Sequence, residues 1–496
     1  MRRPLGIIGF SYLFSLGVAL FLPLPAKLPA VLALLGCALL AVAIGGKQLR
    51  PTALICLMAA VGVLANYRAT TDRMLPQQAL AGSAGSFTVQ VTDLPQYSGQ
   101  TTGFTGRVIG CDLPQAPDEF LIYFTVLGSA DVQQGQYIAV STQLQRADED
   151  QIFDSFLGRG IFLRAFVPSA DQLVYPPVPD SDSGMATFWA DARRQLADGV
   201  YRQLPAQAGG AVCAMSLGDK RYLSADTKET YAAAGISHLL ALSGLHVAVV
   251  AGLLTALLQL LGLGYRVNTL LCAAVCLAYG ALVGFSPSVV RALCMFFYAR
   301  SALLFYKSVD PYTLLGVAAL VLTAGDPLAV ADVRLLLSLG ATAGLVLLLP
   351  RLQRRRSRGP VAASLCQTLA ATLCTLPVAA VSVGKVSLLG LLSNLVCIPL
   401  CGIVVSLGLI GALLTALPGV GSVGFLPLVI SGLAARGIEL VAGQMYRFVQ
   451  RFPWLLVDAG TPTALTVIGV ALILLALMLW LPRRHRFDSD RGTGVK

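Results

Sequence analysis

Charge is scarce in this chain. Of its 496 residues, 12% are charged and 56% hydrophobic. That balance excludes an ordinary soluble domain and fits a polytopic membrane protein. Histidine is scarcer still, with three residues in all. His238 and His246 lie in the apolar part and His485 in a basic tail, so no three-histidine metal site can form within the membrane region. No G-x-x-x-x-G-K-[ST] sequence occurs, which excludes a P-loop motor. Of eleven cysteines, only Cys111 falls in the long polar stretch, which therefore cannot close an internal disulfide. The others read as buried thiols acting as small apolar side chains.

What is present is organised by hydropathy. Apolar segments at 5–24, 28–44 and 52–65 open the chain behind Met1-Arg2-Arg3, and three in succession read as retained helices rather than a signal peptide. An insert of about 68–204 follows, then a long helical region to Pro482 and a basic tail. Residues 68–205 carry a net charge of −6 and the rest +17, so the positive excess belongs to the membrane part. Arg2, Arg3, Lys47 and Arg50 place the N-terminus in the cytoplasm and the insert outside. Five apolar segments, at 238–262, 268–284, 287–305, 311–324 and 333–350, lead to the arginine-rich 351–358 loop, which the same rule places in the cytoplasm with Arg266, Arg300 and Lys307. Segments at 361–380, 387–417, 424–447 and 463–482 return the tail to that side. Asn394 and Pro399 predict a break in 387–417, giving a discontinuous or re-entrant helix. The total is roughly 10–13 spans.

The insert predicts β structure at 87–92, 104–109, 120–127, 137–144 and 161–167, separated by Gly, Pro and Asp turns. Five short strands fit a small barrel of OB type, with Phe104, Tyr123, Phe124 and Tyr137 read as its core. An amphipathic helix at 185–204 is expected along the outer membrane surface, with Phe188, Trp189, Leu196 and Val200 on its apolar side and Arg193, Arg194 and Arg202 among its polar groups. The resulting layout is 1–67 membrane, 68–174 β-barrel, 175–205 linker and interfacial helix, 206–482 membrane, and 483–496 tail.

Polar residues at bilayer depth mark candidate sites. On one straight helix His238 and His246 would stand about 80° apart around the axis and about 12 Å apart along it, too far to share a metal. Neither a metal nor a cofactor is expected. Each histidine can instead satisfy a carbonyl freed by a break at Gly244. Ser243 and His246, three residues apart, can meet on a helix, and with Asp219 upstream they outline a serine hydrolase, though without a G-x-S-x-G frame or an oxyanion hole. Arg291 serves either as the partner of Asp310, Asp326 or Asp332, or as an anion contact. Lys385 and Asn394 stand near the expected second break, where Lys385 can also snorkel to the interface.

S-L-G-D-K-R-Y-L (216–223) with Y-A-A-A-G-I-S-H-L-L-A-L-S-G-L-H-V (231–247) closely resembles the signature of the ComEC-type competence proteins, the DNA-uptake channels of natural transformation. The resemblance continues through G-F-S-P-S-V-V-R-A-L-C-M (284–295) and G-K-V-S-L-L-G-L-L-S-N-L-V-C-I-P-L (384–400), covering nearly the whole chain. It implies a bacterial cytoplasmic-membrane protein, with both termini cytoplasmic and the barrel outside, carrying single-stranded DNA inward. His238, Ser243, Gly244, His246, Arg291, Lys385 and Asn394 would form the pathway, supported by Asp219, Gly235 and Pro399. Such a channel is not an enzyme. It implies a separate DNA receptor, a cytoplasmic helicase or ATPase, contact with membrane lipid, and room for a homo-oligomer. Two departures stand out. The H-x-H-x-D-H set of the family's metallo-β-lactamase-like domain is missing, so a nuclease is expected from a separate chain, and Arg334 interrupts a run that is apolar in the family. The acidic insert is expected to dock or gate rather than to bind DNA tightly. The competing readings are a membrane-embedded serine hydrolase and a transporter of a smaller anion.

Overall fold

A computed structural model describes residues 4–458, apart from 45–48, 94, 99–100, 115, 118, 129, 148–155, 177–184, 305–308, 357–358, 383–384 and 418. The expected span at 463–482, the tail, Lys47, Lys307 and most of the linker lie outside the described residues.

Three helices come first: α1 (Pro4–Phe21), α2 (Leu24–Ile44) and α3 (Arg50–Arg68). A π-turn, Ala69–Met74, and the single-turn α4 (Leu75–Gln78) lead into the barrel. Its strands are β1 (Ala84–Val91), β2 (Gln96–Ser98), β3 (Thr101–Cys111), β4 (Leu121–Leu127), β5 (Tyr137–Arg146) and β6 (Ile161–Val167). All five expected strands form, and β2 is a short addition. Along β1, Phe87, Val89 and Val91 point inward while Thr88 and Gln90 are only partly covered, the alternation a half-buried strand requires. The strands run in the order β1-β5-β6-β4-β3, and β3 closes back onto β1. β4 and β6 pair in parallel, whereas the other neighbours are antiparallel. A closed five-stranded barrel of this kind is OB-like. Phe104 and Phe124 stack at 5.2 Å inside it, with Ile122, Ile138, Leu144 and Leu163 fully buried around them.

The helical region comprises α5 (Met185–Gln203), α6 (Ala206–Leu217), α7 (Ala225–Ala233), α8 (Gly244–Leu260), α9 (Tyr265–Val283), α10 (Pro287–Leu304), α11 (Pro311–Ala324), α12 (Val333–Leu347), α13 (Leu349–Arg356), α14 (Pro360–Ser382), α15 (Gly390–Ala416) and α16 (Gly421–Arg451). A two-stranded ribbon, β7 (Lys385–Ser387) with β8 (Leu456–Asp458), ties the start of α15 to the end of α16. Among the described residues, eight helices are long and apolar enough to cross a membrane, with α1, α6, α8 and α11 as shorter apolar companions. The chain is thus a polytopic helical membrane protein carrying a β-barrel insert.

Three expectations change. The 238–262 segment is not one helix: Ser237–Leu239 is a 3-10 turn, and α8 starts only at Gly244 because Ser243 caps it. α15 runs unbroken for 27 residues with Pro399 inside it. The proline removes one backbone bond, but a long apolar helix packed among others tolerates that loss without ending. Helix α5 packs on protein along part of its apolar side, where Leu196 and Val200 join Val212 and Val404 of the helical core, while Phe188 stays exposed. Arg193, expected on its polar side, is 3% exposed. The guanidinium tolerates this because it donates to the Leu282 carbonyl (3.1 Å) and to Gln134 of the barrel (2.9 Å).

Candidate functional site

The segment between α6 and α8 is fixed by close packing. Gly235 has φ +73°, and a Cβ there would lie 2.7 Å from Gly390 Cα. Beside it, the Ser393 hydroxyl donates to the Ala234 carbonyl at 2.6 Å. These contacts press the A-A-A-G-I-S stretch onto the first turn of α15, so two motifs far apart in sequence become one structure. A second junction joins α8 to α10. A Cβ on Gly244 would lie 3.0 Å from Arg291 Nη2, so glycine leaves the guanidinium room at the start of α8.

At that start, Ser243 and His246 form a reciprocal cap. Ser243 Oγ accepts the Leu245 N–H (3.3 Å), and His246 Nδ1 accepts the Ser243 N–H (3.0 Å). Ser243 Oγ lies 2.9 Å from the same nitrogen. The geometry assigns the imidazole proton to Nε2, which is turned toward the Met215 backbone and meets no carboxylate among the described residues. Asp219, the expected orienting acid, is held instead by Arg221, with Oδ2 2.6 Å from its Nη2. The pair therefore does the work of a capping box.

These junctions border a cavity of about 1930 Å³. His238, Ser243, Gly244, Arg291 and Asn394 line it, as do Asp219 and Gly235. His246 is fully buried behind the cap and does not line it; nor does Pro399. Lys385 lies in β7, and its side chain is outside what the structure describes. The barrel sits over the mouth. Tyr97, from the β1–β3 connection, accepts Lys228 Nζ on its carbonyl (2.8 Å), and Arg194 of α5 pairs with Asp131 (3.4 Å).

Lining charge is unequal: eight Lys or Arg residues against five Asp. Each aspartate has a cation, namely Arg159 for Asp93, Arg194 for Asp131, Arg221 for Asp219, Arg73 for Asp326 and Arg334 for Asp332. Arg193, Lys220, Lys228 and Arg291 are left with no acid partner among the described residues. Arg334, unexpected from the sequence, is explained by its 3.0 Å pair with Asp332. Burial, then the nearby Lys228 and Arg334 charges, hold the Lys220 ammonium below its ordinary value. Burial brings the Arg193 guanidinium down to about 10, which still leaves it charged at neutral pH.

Arg291 corrects another expectation, because it meets none of Asp310, Asp326 or Asp332. Asp310 caps α11 through Thr313, and the other two have the partners just named. Its nearest polar contact is the Met295 sulfur at 3.9 Å, and its Nε is buried without a hydrogen bond. Ser286 Oγ, Ser338 Oγ, Ser387 Oγ and Asn394 Oδ1 are also buried without protein partners, and all four residues line the same cavity. These four residues border the cavity, while the unbonded atoms themselves are closed off from it.

Sequence reasoning missed Arg193, Lys220 and Lys228, which read as surface charge. It placed a span at 361–380 but missed that Ser364, Gln367, Thr368, Thr372 and Thr375 of this helix, α14, line the cavity. Their three- and four-residue spacing was the available signal. Among the described residues, no three His, Cys, Asp or Glu side chains gather in ligating geometry.

Comparison with known proteins converges on the same segments. The profile of the Competence protein family matches residues 215–484, more than half of the chain. ComE operon protein 3 of Bacillus subtilis (strain 168) is 32% identical over 103 residues, a match covering 21% of this chain and 13% of that protein. The chain thus matches far less than two thirds of that relative's length. No solved structure matches it.

Proposed function

The chain belongs to the Competence protein family, and on that premise we propose that it carries single-stranded DNA inward through the cavity beneath its barrel, across the cell membrane of a bacterium. The observation that carries this reading is the cavity wall. Cations without an acid partner among the described residues, together with serine, threonine, glutamine and asparagine side chains, line a space among helices long and apolar enough to cross a membrane. A polyanion crossing hydrocarbon needs such a wall. In this reading the barrel is outside, and the connection between β1 and β3, one of the loops by which OB folds engage oligonucleotides, receives the strand. Its acidic charge suits docking and gating more than tight binding. A separate receptor and a helicase or ATPase complete the system.

The cavity exceeds the ~300–1,000 Å³ usual for small ligands, which argues against a transporter of a small anion. A hydrolase gains nothing from the geometry, because the His246 nitrogen beside Ser243 already accepts a backbone N–H and Asp219 is engaged elsewhere. The channel reading therefore treats the chain as a conduit rather than an enzyme. Uptake of labelled DNA by cells with and without the chain tests it. Uptake should require the chain, and normal uptake in its absence would refute the proposal.

A further inference from the structure

The inner part of the cavity is lined in a different way from its mouth. Helix α14 carries no charged residue. Ser364, Gln367, Thr368, Thr372 and Thr375 face the cavity along about 16 Å of it. Gln367 and Thr372 are exposed there. Such side chains are costly against lipid, so the stripe needs polar company. The neighbouring face of α14 is engaged: Gly340 and Gly344 of α12 bring that helix against the backbone at Cys374 and Ala370. Ala341 and Leu345 of α12, and Leu349 at the start of α13, line the cavity beside the stripe. α14 thus brings a row of hydroxyl and amide side chains to the cavity, interleaved with Leu369, Leu373 and Leu376, beside the aliphatic Ala341 and Leu345 of α12. The cavity's inner end lies at Leu349 and Ser364, which bracket the arginines of α13.

We propose that α14 is the rail on which the sugar-phosphate edge of the strand runs, from the level of Arg291 and Arg334 to the arginine-rich α13, with the bases turned toward α12. This inference rests on the channel reading and adds to it the orientation of the strand and the residues that bear it. Neutral donors suit the task. Hydroxyls and amides bond phosphate and sugar oxygens one after another, while no cation between the two arginine levels creates a deep trap. Conduction requires sites favourable enough to enter and weak enough to leave.

The test compares uptake of a labelled strand by cells carrying the full chain, its Gln367→Leu/Thr372→Val double variant, or a Val361→Ala control on the same helix but off the cavity, at equal membrane levels. The double variant should lose about tenfold, the scale of two hydrogen bonds, and the control should lose nothing. Equal uptake by all three would overturn the rail while leaving the channel standing. Uptake that never depended on the chain would remove the channel reading and the rail together. As a second measurement, Thr372→Cys should react with a membrane-impermeant thiol reagent and be protected by a strand in transit, read by peptide mass spectrometry. Cys374, which backs onto Gly340, should stay unmodified. A Thr372→Cys cross-link between two copies would make the stripe a subunit interface and contradict the proposal.

Discussion

The barrel and the helical cavity treat buried polar groups in opposite ways. In the barrel, Thr105 and Asp93 bond each other twice at 2.9 Å, and Arg159 closes the network. Thr102 donates to the Gly128 carbonyl (3.0 Å) and accepts the Ala130 N–H (3.1 Å). In the cavity, Ser286, Arg291, Ser338, Ser387 and Asn394 each leave a buried atom unbonded. The barrel's Thr102, Thr105 and Asp93 are tied into closed networks, whereas residues bordering the cavity leave buried atoms unbonded.

The largest effect expected from breaking this contrast is at Gly235. Gly235→Val forces a side chain toward Gly390 at a left-handed backbone position and should cost about 2–4 kcal/mol, seen as a lower melting temperature and loss of uptake. In the barrel, Gly110→Ala meets nothing closer than 4.0 Å and should be nearly silent. Next comes charge. Arg291→Met should cut uptake by about a hundredfold, the scale of a lost charge-assisted contact, while leaving thermal stability unchanged or higher. Arg159→Met should do the reverse, lowering barrel stability by about 1–3 kcal/mol through its stranded Asp93. Equal destabilisation by both substitutions would erase the distinction between network and passage. Smaller again, Ser243→Ala should cost about 1 kcal/mol as a lost cap and change uptake only a few-fold. Complete loss at a normal protein level would return the hydrolase.

The smallest effect concerns Asp326, at the turn between α11 and α12. Burial raises its carboxyl above the ordinary aspartate value, more than Arg73 and the Leu328 N–H lower it. A raised carboxyl favours the folded state when protonated and loses that advantage as pH rises through its folded value. Asp326→Asn should therefore be slightly stabilising at neutral pH, with the difference vanishing in acid, as melting curves across pH would register.

Much of the barrel was legible because Phe87, Val89 and Val91 alternate strictly and polar turns punctuate the strands. Spans from α9 to α12 were legible from hydropathy alone. The site was legible as motifs but not as contacts. Local pattern places His238 and His246 on one helix, yet Ser243 caps a new helix between them and separates a cavity residue from a buried one. Pro399 reads as a break because local rules omit the neighbours that hold α15 straight. Arg193 reads as solvated because its partners, Leu282 and Gln134, come from distant parts of the chain. Arg291 was legible as a candidate because it is an arginine in an apolar helix, but its lack of an acid partner is a tertiary fact.

Cross-linking a single strand arrested during uptake addresses the central claim most directly. A photoreactive strand, with attachment sites mapped by peptide mass spectrometry, should label Tyr97 at the mouth, His238 and Arg291 within, and Gln367 and Thr372 on α14. Labelling confined to the barrel's outer surface, with none inside the cavity, would contradict the account.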